Sequence, residues 1–279
     1  MIGIQEIIKK SEELHPLPRS ACKLAEVVAS AKSSVDDIVT VIEYDQALTI
    51  DVLKFANSVF SSSNTPVSSI KNAVIRLGGA RILEQIVARN VKNSISKPVP
   101  SYGYSEDELW RHSVASATAA EIMNSFVEIS IEGVAFTAAL LHDIGKLVLG
   151  RNAGQAMMDR VWQRVVNESC TCAEAEYFVF GFTHADIGAE IMAQWKLPEI
   201  IITAVKYHHS LDENVALETD CVRIANMVAR SIGEGIGYEG MQLAVDSSIQ
   251  ERLGLSRENF EKLCASTKEK LDNIMEMYG

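Results

Sequence analysis

The chemistry available to this chain is concentrated in its histidines. Of six, five lie beyond residue 100: His112, His142, His184, His208 and His209. Glu108 and His112 stand four apart, one helical turn, and so share a face. His142-Asp143 sits inside an otherwise apolar stretch, where an adjacent imidazole and carboxylate are costly unless paired or coordinated. Lys146 follows His142 by one turn. His184 comes directly after Thr183, and His208-His209 closes a segment that begins after Pro198. Imidazole nitrogens and carboxylate oxygens suit divalent first-row metals such as Fe, Mn, Zn or Co, whereas a structural zinc knot would call for cysteines. A carboxylate beside a histidine can bridge two such ions, and ions about 3.5–4 Å apart can hold a hydroxide for attack on phosphorus. Asp143 is the candidate carboxylate for that work, and Lys146 would neutralise a phosphate oxygen. Plainer readings stand beside these. His112 or His184 alone is compatible with a hydrogen-bonded helix histidine, and His208-His209 with an exposed helix end favoured by the dipole. Glu108 is also the natural capping-box partner of Ser105.

The elements that must position these residues read as helices almost throughout, with six prolines and little β-branched alternation. Ser34 and Asp45 are expected N-caps, with Asp36 and Asp37 in the first turn of one helix. Apolar stripes continue through Ile70, Val74 and Leu77, and then Ile82, Ile86 and Val91. Residues 96–104 read as a linker. Beyond it, helices are expected near 105–127, 131–149, 152–168, 183–195, 198–208, 217–232 and 256–277. The run Gly233-Glu234-Gly235-Ile236-Gly237 reads as flexible punctuation and lacks the strand–glycine–helix context of a nucleotide loop. The expected fold class is all-α and bilobed, with residues 1–98 as one helical lobe and 99–279 as a second lobe that carries the histidines.

Composition narrows the function. The 279 residues are 47% apolar and 23% charged, an ordinary globular balance. A net charge of −11 argues against a nucleic-acid partner, because phosphate neutralisation needs a basic surface. The longest apolar runs, such as residues 134–141, are too short to span a membrane. Five cysteines without repeated Cys-x-x-Cys pairs fit reduced thiols and a cytoplasmic location. Cys170 and Cys172 read as small core residues before a metal fragment.

Leu140-Leu141-His142-Asp143-Ile144-Gly145-Lys146, His184-Ala185-Asp186-Ile187-Gly188 and His208-His209, preceded by His112, resemble the HD superfamily of metal-dependent phosphohydrolases. Leu17-Pro18, Ile42-Glu43-Tyr44-Asp45-Gln46-Ala47-Leu48-Thr49, Leu53-Lys54-Phe55-Ala56-Asn57-Ser58 and Ser69-Ile70-Lys71-Asn72-Ala73-Val74-Ile75-Arg76-Leu77-Gly78-Gly79 are similar to the HDOD family of bacterial signalling modules. The resemblance spans about residues 14 to 230. It implies an all-helical bilobed regulatory domain, generally without demonstrated enzymatic activity and often without the HD ligands. Here the ligand-like positions of multinuclear HD-GYP relatives are mostly retained: Glu108, His112, His142, Asp143, His184, His208 and His209, with Lys146 matching their lysine. The closing Asp of that pattern is replaced by Asn226, a weaker ligand expected at the edge of the site. Ser210-Leu211-Asp212 follows His208-His209 where those relatives have Gly-Tyr-Pro, which argues against cyclic di-guanylate hydrolysis.

Two functions follow as expectations. The first is a signal-transduction module, non-enzymatic, holding one or two divalent metals (Fe, Mn or Zn) as a structural or sensory element. The second is a metal-dependent phosphohydrolase acting on a phosphomonoester, phosphodiester or nucleotide. Expected partners are a signalling protein or a small phosphorylated ligand, with a homodimer open and no nucleic acid or membrane.

Overall fold

A computed structural model describes residues 3–9, 14, 16–60, 66–131, 133–210, 215–240 and 247–278. The described residues are helical, joined by short turns, with one isolated β-bridge between Val99 and Tyr104. In chain order the helices are α1 (Ile4–Lys9), α2 (Arg19–Val28), α3 (Val35–Glu43), α4 (Gln46–Val59), α5 (Ile70–Leu77) and α6 (Gly79–Ile95). Then come α7 (Glu108–Ile122), α8 (Ala135–Leu141), α9 (Ile144–Asn152), α10 (Gln155–Glu168) and α11 (Cys172–Phe180). The last are α12 (His184–Gln194), α13 (Glu199–Tyr207), α14 (Leu217–Ser231), α15 (Ser247–Leu253) and α16 (Arg257–Tyr278).

Local sequence sets many of the boundaries. Ser34 and Asp37 close a capping box at α3, and the Asp45 carboxylate accepts from the backbone N–H groups of Ala47 and Leu48 at α4. Thr183 and Asp186 do the same at α12, which fixes where His184 enters. Helices α2 to α6 pack mainly on one another, and α6 meets α7 and α8. Helix α1 falls within residues 1–98 but packs on α9 and α12, where Gln5 Nε2 donates to Glu190 Oε1 at 2.7 Å. Asn57 acts as a staple: its amide donates to the Val67 carbonyl at 2.9 Å and accepts from Val67 N–H at 2.8 Å. It therefore closes the connection between α4 and α5. Residues 61–65, the polar run Ser61-Ser62-Ser63-Asn64-Thr65, lie outside the described residues.

Three expectations change. The stretch 131–149 is two helices, broken at His142-Asp143, where Asp143 adopts φ −100° and ψ 8° and α9 restarts behind it. Residues 96–104 are no loose linker. Val99, Ser101, Tyr102 and Tyr104 are buried, and Trp162 Nε1 donates to the Ser101 carbonyl at 2.6 Å. The third change is α11, which goes unpredicted although Thr171 and Glu174 form a capping box at its start.

The seam between α6 and α7 carries a pH-sensitive group. Glu84 is buried, and Arg81 lies between it and Glu121, which also pairs with Lys270 at 2.8 Å. Burial, followed by the Glu121 charge, pushes the Glu84 carboxyl up from 4.5 to about 7. Between these two values the folded chain keeps a proton that the unfolded chain has released. Stability therefore falls as pH rises through that window. Glu84→Gln should remove this dependence and stabilise the protein above pH 7 by on the order of 2 kcal/mol. Urea denaturation at pH 5 and pH 8 checks this. Identical pH dependence in both proteins would count against it.

Candidate metal centre

The break between α8 and α9 puts His142 and Asp143 at the meeting point of α7, α9, α12 and the end of α13. Two close approaches make this possible. A side chain at Gly145 would place its Cβ 1.9 Å from the His184 carbonyl oxygen and 3.0 Å from the Gly188 nitrogen. Helices α9 and α12 therefore cross backbone to backbone, and the glycine in His142-Asp143-Ile144-Gly145-Lys146 is a packing requirement. At Gly235, φ is +59° and a Cβ would meet His112 Cβ at 2.5 Å. The glycine-rich run is thus a fitted wall against His112 rather than loose punctuation.

Asp143 lies at the centre, fully buried, with its two oxygens facing different histidines. Oδ2 is 3.4 Å from Nε2 of both His112 and His142. Oδ1 is 3.3 Å from His184 Nε2 and 3.7 Å from His208 Nε2. His209 Nε2 stands 3.0 Å from His184 Nε2. Two groups result, His112–His142–Asp143 and Asp143–His184–His208–His209, each with its ligand atoms within 4.8 Å of one another. The carboxylate they share is placed as a bridge.

The outer contacts fix which nitrogen faces inward. Nδ1 of His112, His142 and His208 lies 3.0, 2.6 and 2.6 Å from the backbone carbonyls of Glu234, Ala139 and Val205. A carbonyl only accepts, so each Nδ1 carries the hydrogen and each Nε2 turns a lone pair toward Asp143. His112 Nε2 and His142 Nε2 are then two acceptors 3.3 Å apart. His208 Nε2, Asp143 Oδ1 and Asn226 Oδ1 are buried without a hydrogen-bond partner, and Asp143 Oδ2 has the Lys146 ammonium 2.8 Å away. Such a set of acceptors is what a divalent cation satisfies, and the residues fit one or two of them. Burial drives His112 down to about 3 and His208 to about 4, and holds His209 well below its ordinary value. These rings are therefore neutral, the form that ligates. Against the opposing effect of burial, the Lys146 ammonium beside it holds the Asp143 carboxyl well below its usual range.

The remaining expected residues divide. Lys146 Nζ is fully buried, 2.8 Å from Asp143 Oδ2. Asn226 lies on α14, which packs against α7 and α8, the helices leading to His112 and His142. Glu108 is not gathered in: its carboxylate accepts from Ser105 N–H at 2.6 Å, the capping role, and it belongs to neither ligand group. Cys170 and Cys172 also lie outside both groups among the described residues.

Sequence reasoning missed Glu176. Fully buried on α11, it lies 2.7 Å from His184 Nδ1 and also accepts from His184 N–H, Tyr102 O–H and Cys172 S–H. Burial alone would lower the His184 pKa, but the Glu176 carboxylate outweighs it and raises it. The only signal was a glutamate at an apolar register of an unassigned helix. Glu176→Gln should weaken metal binding by about 10–100-fold, because an anchoring carboxylate orients and enriches its histidine. Competition with a chelating dye measures this, and an unchanged affinity would count against the role. From His209, an open groove of about 1200 Å³ leads to solvent past Thr183, Lys206, Tyr207, Tyr177 and Phe178.

Fold and site together define an all-helical domain with a buried histidine–carboxylate centre of metal-ligand type. The HDOD domain family model matches residues 14–211, well over half of the chain, and the protein belongs to that family. It is 23% identical over 237 residues to a Treponema pallidum protein, covering 84% of this chain and 45% of that one. Its structure is similar to that of a candidate signal-transduction protein from Marinobacter aquaeolei, with a TM-score of 0.72 and 23% identity, covering 97% of this chain and 60% of that one. It also resembles an HDOD domain protein of unknown function from Geobacter sulfurreducens, with a TM-score of 0.67 and 24% identity, covering 97% and 94%. The chain thus spans about half the length of the curated relative it matches. Among the described residues, no helix is long and apolar enough to cross a membrane.

Proposed function

We propose that this chain is a signal-transduction HDOD module whose histidine-bearing part, residues 99–279, holds one or two divalent first-row metals as a structural or sensory centre. His112, His142 and Asp143 would hold one ion, and Asp143, His184, His208 and His209 the other. Asn226 would contribute at most a weak carbonyl ligand or an outer hydrogen bond. The observation that carries the regulatory reading is the state of Lys146. Its ammonium is enclosed between Asp143 Oδ2 at 2.8 Å and Glu239 Oε1 at 2.7 Å, so it meets an internal carboxylate rather than solvent. A group so held serves cohesion of the site, and the buried pair ties α9 to the segment after α14. Signal would then enter through a small phosphorylated ligand or leave through a partner protein.

A second reading, a phosphohydrolase, draws on the same Lys146 beside the bridging Asp143. Bound metal would supply Lewis acidity and an activated water, and Lys146 the charge for a phosphoryl oxygen. Metal-loaded protein assayed on a panel of phosphomonoesters, phosphodiesters and nucleotides separates the two. The regulatory reading expects loaded protein without turnover. Turnover that disappears in His142→Ala would replace it with the hydrolase.

A further inference from the structure

Glu239 is used by neither ligand group, yet its placement is specific. It ends a single turn, Gly237–Glu239, behind α14. Its side chain is only 4% exposed, and its two oxygens face two cations. Oε1 is 2.7 Å from Lys146 Nζ, and Oε2 is ion-paired with Arg230 Nη2. Lys146 reaches Asp143 with the same ammonium, so this anion site touches the bridging carboxylate. A lysine and an arginine converging on one carboxylate, next to a metal-type centre, form a cradle for an oxyanion. A phosphoryl group, with more charge and a third oxygen, would satisfy it better than the resident side chain.

The segment that delivers Glu239 is built as an outer cover. Tyr238 is 62% exposed and held by an edge contact to Trp162, ring centroids 5.4 Å apart, and by packing against Gly103. Gly237 and Gly240, at φ +46° and +68°, bracket it. Glu239 thus reaches Lys146 from a short glycine-flanked turn on the outer side of the site.

We propose that Lys146 and Arg230 form an oxyanion subsite for a small phosphorylated ligand, and that Glu239 is its built-in occupant, displaced when the ligand binds. The inference rests on the regulatory reading and names its signal. Binding would move Tyr238 off Trp162 and remodel the surface beside residues 100–104. Because the ligand must first displace Glu239, its apparent affinity is reduced by the fraction of chains in which the subsite is open.

The test uses the whole chain with inorganic phosphate as probe, titrated by calorimetry, with the metal content of each sample recorded. Glu239→Gln and Tyr238→Ala should each tighten phosphate binding by about tenfold or more. Adding Arg230→Gln should abolish the gain. Glu239→Gln removes a carboxylate charge from beside two buried cations; should it unfold, Tyr238→Ala decides, since it keeps every charge. Folded Tyr238→Ala protein that binds phosphate no more tightly than wild type would overturn the proposal. That failure in metal-loaded protein counts against the subsite alone. A protein that takes up no metal but shows the phosphate gain retains the subsite and loses the metal centre.

Discussion

Asp143→Asn should strip metal from both ligand groups at once. Most ligands serve one group: His112 and His142 on one side, His184, His208 and His209 on the other. Asp143 alone offers one oxygen to each. Asparagine keeps the shape but loses the charge and one acceptor, so affinity at both positions should fall by more than about 100-fold, beyond what an outer-contact change produces. The metal-free protein should suffer too. Lys146 and Asp143 are both fully buried, and removing one partner of such a pair costs about 3–5 kcal/mol. Glu239 still faces Lys146, which places the expected loss near the lower end of that range. Metal content after dialysis and a urea titration of the same preparation read both effects. If Asp143→Asn retains one tightly bound ion, Asp143 is no bridge.

Gly145→Ala should be the most damaging single methyl in the chain. The added Cβ would sit 1.9 Å from the His184 carbonyl oxygen and 2.8 Å from its carbon, both backbone atoms, so no side-chain rotation relieves it. Helices α9 and α12 must separate, which moves His184 away from Asp143 and opens the packing around Ile144 and Ile187. Overpacking of a core typically costs about 1–3 kcal/mol, and displacing two backbone segments together should exceed about 4. For a chain of this size, that corresponds to a fall in Tm on the order of 10 °C. A scanning calorimetry trace within about 2 °C of wild type would show that the helices do not cross as described.

How much of this was legible in the sequence depends on the kind of signal. His142-Asp143 stood out because its apolar neighbours implied burial, and burial of that pair demands compensation. The N-caps at Ser34 and Asp45 could be read because capping is local chemistry within three residues. The break between α8 and α9 could not, since the apolar run continues through it and only tertiary packing decides that a turn is placed at Asp143. Glu108 looked the same as a cap and as a ligand, and the geometry assigns its carboxylate to Ser105. Glu176 and Glu239 were invisible for a shared reason. Each is an isolated carboxylate whose partners, His184 in one case and Lys146 with Arg230 in the other, are defined only by the fold. The glycine-rich run and residues 96–104 were misread because polar and small residues mark loops, whether those loops are loose or, as here, packed into the wall of a site.

The histidines and Asp143 are expected to hold one or two divalent ions. Metal stoichiometry tests this most directly, measured on the whole chain purified without chelator and loaded in turn with Fe, Mn and Zn. The expected result is at least one ion per chain for at least one of these metals, and about two where Asp143 is shared between both ligand groups. In that case His112→Ala and His209→Ala should each remove one position and leave the other. A folded wild-type chain that retains no ion after loading with all three would contradict the metal centre.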